Sequence, residues 1–256
     1  MRVQFIGVGE AFDEHYPNTS ILVSLGGPEN QLHVLLDCGF TAAAAYYAHA
    51  HVGAALDAVW ISHFHGDHFL GVPLLLLRFW EEGRTKPLTI MGQKGVEEKL
   101  WSSFDLAFPQ FKTRLQYPVH CLEAAPGKTI ELAGAQWSFT ANDHSVLAPC
   151  LAVRLACNGK SVFYSGDGRP TPSTADLAQG VDLLIHEAYG LEPDTPGHGG
   201  VPGCLELAEK TRAKSLALVH VNRRVRQEKA GVIRDMLATA LKGRGFLPEP
   251  GDAVAL

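Results

Sequence analysis

The chain has 256 residues, of which 46% are hydrophobic and 19% charged, and its formal charge at neutral pH is −5. That length can bury one substantial core or two modest ones, and the composition excludes a disordered or fibrous polypeptide. The acidic balance offers polyanions no global attraction; the densest basic stretch, Arg223-Arg224-Val225-Arg226, reads as the solvated approach to a helix. The longest apolar run, Phe69 to Leu77, is broken by Gly71 and Pro73 and cannot span a bilayer. The apolar start, Met1 to Gly7, is too short for a signal peptide. Five cysteines (Cys38, Cys121, Cys150, Cys157 and Cys204) lie scattered with no C-x-x-C spacing. They form neither a disulfide framework nor a thiolate metal site, and they read as small buried hydrophobes of a reducing compartment, most simply the cytoplasm.

Val3 to Val8 reads as a first strand. Asn18 to Leu25 and Leu32 to Leu36 follow as a strand pair joined by the turn Gly26-Gly27-Pro28-Glu29-Asn30. Asp37-Cys38-Gly39 ends the second of them, and Asp37 either orients a metal ligand or caps the Ala-rich helix expected over Thr41 to Val52. Leu56 to Ile61 is strand-like and runs straight into Ser62-His63-Phe64-His65-Gly66-Asp67-His68. A helix is expected over Val72 to Trp80, a strand over Pro87 to Met91 and a helix over Val96 to Phe104. Residues 105–118, rich in aromatics, suit packing somewhat better than a lid over a site. Strands are then expected over Thr129 to Leu132, Ala135 to Ala141, Cys150 to Ala156 and Ser161 to Ser165. Asn158-Gly159 supplies the hairpin turn between the last two. Val181 to His186 and Ser215 to Val221 complete the strands, with helices over Pro202 to Arg212 and Ala230 to Lys242. No linker divides the chain, so residues 1–256 read as one domain of the α/β class.

Three imidazoles and a carboxylate within six residues at a strand end point to metal binding. In an extended backbone His63, His65 and Asp67 would share a face, with His68 turned away. Gly66 lets the chain bend, so His63 and His65 could serve one ion while Asp67 and His68 serve a neighbour. Such mixed ligands suit zinc, and also manganese or iron. Two ions need more ligands, and other strand ends offer them: His144 after Ala135–Ala141, Asp167 within Ser165-Gly166-Asp167-Gly168, and His220 after Leu216–Val219. The glycines beside Asp167 would allow close approach to an ion. His15, His33, His49, His51 and His120 show no partner pattern. His15 is the one to watch, because Glu10 to Ser20 could form a loop at the rim of a site.

In this order, and over nearly its full length, the chain resembles the metallo-β-lactamase superfamily, and within it the ribonuclease Z branch of phosphodiesterases. The likeness runs through Asp37-Cys38-Gly39, the H-x-H-x-D-H cluster, Gly71-Val72-Pro73-Leu74-Leu75 and Pro87-Leu88-Thr89 with Gly92 and Gly95. It continues through Ser165-Gly166-Asp167, Asp182 to Ala188, Gly197-His198 and the His220 strand. The resemblance implies a four-layer αββα sandwich with its site at one edge of two packed sheets. It implies that His63, His65 and His144 hold one divalent ion, that Asp67, His68 and His220 hold the other, and that Asp167 bridges them. His198, held by Glu187, would donate a proton to the leaving oxygen, with His186 in a supporting place. Hydroxide generated between the ions would attack phosphorus, Asp67 orienting it or taking its proton.

Three departures from the branch bear on substrate. The hairpin Leu151 to Tyr164 takes up nearly all of the chain between His144 and Asp167, where tRNA-processing members carry a protruding arm. Tyr189 follows His-Glu-Ala where the branch usually has Thr, and Gly199-Gly200 follow His198 in place of Ser-Thr. The expectation is therefore a dinuclear hydrolase of a small or exposed phosphodiester, such as a cyclic nucleotide or an RNA end, and not of a tRNA body. An aryl sulfate ester, a lactone or a thioester could use the same centre, and a metal-containing sensor is the non-enzymatic alternative. The branch also implies a homodimer, and no membrane partner is expected.

Overall fold

Strands buried along nearly their whole length must be covered on both faces, and that requirement sets the architecture. The computed structural model describes residues 1–26, 31–50, 55–147, 149–193 and 195–256. The first strands are β1 (Arg2–Gly7), β2 (Ser20–Leu25), β3 (Leu32–Leu36), β4 (Ala58–Trp60), β5 (Leu88–Gly92) and β6 (Val119–Glu123). Next come β7 (Thr129–Leu132), β8 (Ala135–Asn142), β9 (Cys150–Cys157) and β10 (Lys160–Tyr164). The last are β11 (Leu183–Glu187), β12 (Leu216–Val219), β13 (Gly245–Phe246) and β14 (Ala253–Ala255). They form two seven-stranded sheets, ordered β14-β1-β2-β3-β4-β5-β6 and β13-β12-β11-β10-β9-β8-β7.

The sheets pack face to face around Phe5, Trp60, Trp137, Val153, Tyr164 and Ile185. Trp60 stacks on Phe139 across the interface at 5.0 Å. The helices α1 (Ala42–His49), α3 (Val72–Glu81) and α4 (Val96–Ala107) cover the outer face of the first sheet through Tyr46, Phe79 and Phe104. The single turn α2 (Gly66–Phe69) lies between α1 and α3 in the chain. On the outer face of the second sheet, α5 (Pro172–Leu177), α6 (Val201–Thr211) and α7 (Arg223–Leu241) pack over Phe163, Leu184 and Leu218. The result is the αββα sandwich of the metallo-β-lactamase fold.

Several elements differ from those read in the sequence. The turn after Gly26 and the last two residues of the helix expected over 41–52 fall outside the described residues; within them that helix stops at His49. β6, α5, β13 and β14 were not anticipated, and α7 begins at Arg223 instead of Ala230. The basic stretch is the first turn of that helix, and it is not uniformly solvated. Arg226 is buried with its guanidinium over the Tyr16 ring, and Arg223 pairs with Glu10. Residues 105–118 do pack: Phe111 meets Trp80 edge-on at 4.6 Å, and Tyr117 Oη donates to the Leu76 carbonyl at 2.8 Å. The hairpin turn is as expected, with Asn158 at φ 51° and Gly159 at φ 73°.

Parallel pairing places the functional loops. β3 to β6 run parallel to one another, as do β10 to β12, so each set delivers its C-terminal ends to one edge. The two sheets are joined there by specific hydrogen bonds. Leu151 N–H donates to the Ser62 carbonyl at 3.1 Å, His220 N–H to the Val8 carbonyl at 2.9 Å, and Tyr164 Oη to the Asp37 carboxylate at 2.7 Å.

Candidate metal centre and its cleft

The histidine-rich segment is not extended. His65 is the last residue in a β conformation, and Gly66 opens the turn α2, which carries Asp67 and His68. The change of backbone sends the two pairs to different positions, as the bend at Gly66 allows. Close packing holds α2 in place: a Cβ on Gly39 would collide with the Asp67 carbonyl, and one on Gly71 with the Gly39 carbonyl. The glycine of Asp37-Cys38-Gly39 is therefore a contact requirement of the site.

Two groups of donor atoms converge, His63 with His65 and His144, and Asp67 with His68, Asp167 and His220. His144 Nε2 lies 3.2 Å from His65 Nδ1. His68 Nε2 is 3.2 Å from both Asp67 Oδ2 and Asp167 Oδ1, and His220 Nε2 is 3.2 Å from Asp67 Oδ2. Asp167 reaches both groups, with Oδ2 3.9 Å from His63 Nε2 and Oδ1 3.6 Å from His220 Nε2. Bonds of about 2.0–2.1 Å at tetrahedral angles put ligand atoms about 3.3 Å apart, so this spacing fits zinc-sized ions. His63 Nε2, His68 Nε2 and Asp167 Oδ1 are buried with no hydrogen-bond partner, as coordinating atoms are. The donor set could hold divalent metal ions.

Outer groups fix the tautomers. His68 Nδ1 donates to Asp37 Oδ2 at 2.7 Å, which leaves Nε2 facing the donor cluster. Asp37 is wholly buried and also accepts from Ser62 N–H, Ser62 Oγ and Tyr164 Oη at 2.7, 2.8 and 2.7 Å. Of its two expected roles, Asp37 therefore orients a ligand; Thr41 occupies the N-cap of α1. His144 Nδ1 donates to the Gly197 carbonyl at 2.7 Å. The glycines beside Asp167 are also required by packing. A Cβ on Gly166 would meet Cys150 Sγ and Ser62 Cβ at 2.7 Å, and one on Gly168 would meet the Asn142 amide at 2.6 Å.

Charge is balanced within the cluster. Burial disfavours the charged form of His68, yet Asp167, Asp67 and Asp37 raise it well above the imidazole range. His220 is likewise held up at about 9, against burial, by Asp167 and Asp67. Burial works against ionisation of Asp67 and Asp167 too, but the adjacent imidazoles hold both below the usual carboxylate range. Burial, assisted by the neighbouring imidazoles, lowers His63 and His65. Bound cations would supply the positive charge that protons otherwise provide here.

Beside the cluster, His198 Nδ1 donates to Glu187 Oε1 at 3.0 Å. The same oxygen accepts from Gly168 N–H and Gly199 N–H, both at 2.9 Å, and Oε2 accepts from Tyr189 N–H at 3.1 Å. Burial disfavours imidazolium at His198, but the hydrogen bond and charge of Glu187 outweigh it and raise the pKa. His186 is fully buried, with Nδ1 donating to the Glu187 carbonyl at 2.7 Å, so it supports the dyad from behind.

Residues 1–238 match the family model of the anti-Pycsar protein Apyc1. The chain belongs to that family. It is also 28% identical over 274 residues to a ribonuclease BN of Citrobacter koseri, a match covering 88% of this chain and 90% of the relative. Its fold is similar to that of the metallo-β-lactamase fold protein YhfI from Bacillus subtilis, with a TM-score of 0.81 at 21% identity, covering 99% of this chain and 98% of the other. The short form of human tRNase Z gives a TM-score of 0.78 at 21% identity over 100% of this chain and 99% of its own. Family and fold agree with a hydrolase reading: an Apyc1-family chain of metallo-β-lactamase fold carries a convergent set of His and Asp donors.

The cleft of this family member, about 400 Å³, is lined by Asp67, His65, His144, Asp167, His198 and His220 together with Glu10 to Phe12, Phe40 and Tyr189. The loop expected at the rim is there, but it contributes Glu10 to Phe12, while His15 is exposed on another face. His33 bonds Ser24 Oγ at 3.0 Å through Nδ1, and neither His33, His49 nor His120 lines the cleft; His51 lies outside the described residues. Phe12 and Phe40 carry no sequence signal, since an exposed aromatic in a loop reads like any other. No helix among the described residues is long and apolar enough to cross a membrane.

Proposed function

We propose that the chain is a phosphodiesterase acting on a small or exposed phosphodiester, such as a cyclic nucleotide or an RNA end. The reading is carried by one juxtaposition: a histidine braced by a buried carboxylate opens into the same cleft as His65, Asp67, His144, Asp167 and His220, five of the seven convergent candidate ligands. In this reading His63, His65 and His144 hold one ion, Asp67, His68 and His220 the other, and Asp167 spans both. The His-rich donors favour zinc, and manganese or iron would accept the same set. Such a pair of ions, when bound, lowers the pKa of a water and neutralises charge building on a phosphate.

The chain's own groups complete the displacement. Asp67, on the cleft wall, orients the attacking water or takes its proton as the water oxygen bonds to phosphorus. On the opposite side the P–O bond to the leaving group breaks, and His198 passes its Nε2 proton to the departing oxygen. Glu187 steadies the imidazolium before transfer and holds the Nδ1 edge of the ring. Among the described residues no cysteine or serine lines the cleft, and the buried thiols of Cys150 and Cys204 are pushed well above their ordinary range by burial and nearby carboxylates. Between His144 and Asp167 the described chain forms only a short loop, β9, a tight turn and β10, so it offers no arm for a tRNA body.

The test is a substrate panel on zinc- or manganese-loaded protein, comprising cyclic nucleotides, short RNAs, aryl sulfates, lactones and thioesters. Turnover of the phosphodiesters is expected, with loss of about a hundredfold or more in His198→Ala on substrates with poor leaving groups. Turnover of a sulfate ester, lactone or thioester with none on phosphodiesters would replace the proposal, and parental activity in His198→Ala would remove the proton donor.

A further inference from the structure

The Glu187 hydrogen bond fixes one edge of His198 but not the plane of its ring. The segment around that ring is rich in glycine: Gly197 precedes it at φ 74°, and Gly199 and Gly200 follow. Glycine on both sides gives the backbone freedom that a proton donor cannot use. What meets the face of the imidazole is Tyr189. The rings stack with centroids 4.7 Å apart and planes 25° apart. Tyr189 also lies 6.3 Å from the His220 ring, and His198 and His220 are nearly parallel at 5.8 Å. The three rings therefore form one packed group at the cleft wall. The backbone of its tyrosine is anchored by Tyr189 N–H on Glu187 Oε2 at 3.1 Å, the other oxygen of the carboxylate that holds His198.

We infer that Tyr189 is the positioning residue for the proton donor, its ring holding the His198 imidazole in the plane that directs Nε2 into the cleft. The inference rests on the phosphodiesterase reading for its kinetic consequence, though not for its geometry. It also accounts for two departures together. A Cβ on Gly199 would lie 2.8 Å from the Glu187 carbonyl, so this loop packs against β11 too closely for the side chain usual at that position. With that side chain absent, an aromatic ring two residues after Glu187 supplies the constraint from the other side. Contact with an aromatic face adds to area burial and favours one ring orientation over its neighbours.

The experiment compares parent, Tyr189→Phe, Tyr189→Leu and His198→Ala on phosphodiesters whose aryl leaving groups range from p-nitrophenol to phenol. A misplaced proton donor harms poor leaving groups and spares good ones, whereas general damage to the fold harms all alike. Tyr189→Phe should match the parent, because the ring and not the hydroxyl makes the contact. Tyr189→Leu should lose about tenfold or more with phenol as leaving group and less than about threefold with p-nitrophenol, the same sense of change as His198→Ala. A second readout needs no turnover. Nitrogen-15 spectra of the imidazoles in metal-free protein should show one Nδ1–H pattern for His198 in the parent and Tyr189→Phe, and an averaged one in Tyr189→Leu. Parental leaving-group dependence and a parental spectrum in Tyr189→Leu would overturn the inference. If the parent hydrolyses none of the series, the phosphodiesterase reading fails, and the spectra alone decide for or against Tyr189.

Discussion

Asp37 sits at φ 60°, a left-handed conformation that aspartate and asparagine tolerate better than most residues. It accepts four hydrogen bonds in a site with no solvent contact. Asparagine would keep the backbone, but an amide turned to accept from Ser62 N–H aims its NH₂ at His68 Nδ1–H, so the ligand loses its acceptor. Asp37→Asn should therefore weaken metal binding by about 10–100-fold. Competition with a chelating dye would measure it, and parental affinity would show that His68 needs no such support. At this scale the sequence is informative about ligands and poor about what holds them. H-x-H-x-D-H is dense enough to read locally, and Asp37 stands beside it as a candidate. Tyr164 and Ser62 reach the same carboxylate from a different sheet and a different loop, and no local pattern announces a contact made across the sandwich.

Among the elements, β10 and β11 are tied at their starts by one side chain. Asp182 Oδ2 accepts from Ser161 N–H at 2.8 Å, and Oδ1 accepts from Lys214 Nζ at 2.7 Å. Burial disfavours its ionisation, but Lys214 and the Ser161 N–H prevail and lower its pKa below the ordinary 3.8. A lowered folded-state pKa gives stability that is present above the unfolded value and lost as pH falls through the folded one. Asp182→Asn should unfold at lower urea concentration at pH 7, by about 1–2 kcal/mol, and the gap should close below pH 3.8. A gap independent of pH would rule out the charge as its source. The missed elements have physical reasons of their own. β13 and β14 are two and three residues long, too short for a period to show. α5 is marked by a capping box between Thr171 and Thr174, a signal weaker than the usual Ser/Thr with Glu. α7 starts at Arg223 because Asn222 caps it, accepting from Arg224 N–H and Val225 N–H, ahead of the expected start at Ala230.

For the molecule as a whole, the centre is a joint between two sheets. The first sheet supplies Asp37 and His63 to His68; the second supplies His144, Asp167, Glu187 and His220. The layered fold was legible through the ordered motifs that carry the family resemblance, and further candidate ligands were legible because they stand at strand ends. The shape of the cleft was not, because Phe12, Phe40 and Tyr189 come from separate loops whose meeting depends on the finished sandwich. The most direct test is to titrate zinc into metal-stripped protein while following phosphodiester hydrolysis in the same cell. Hydrolysis should be absent at the start, rise with bound zinc and level off at two ions per chain. Undiminished turnover without metal, or a plateau at a single ion, would contradict the two-ion centre.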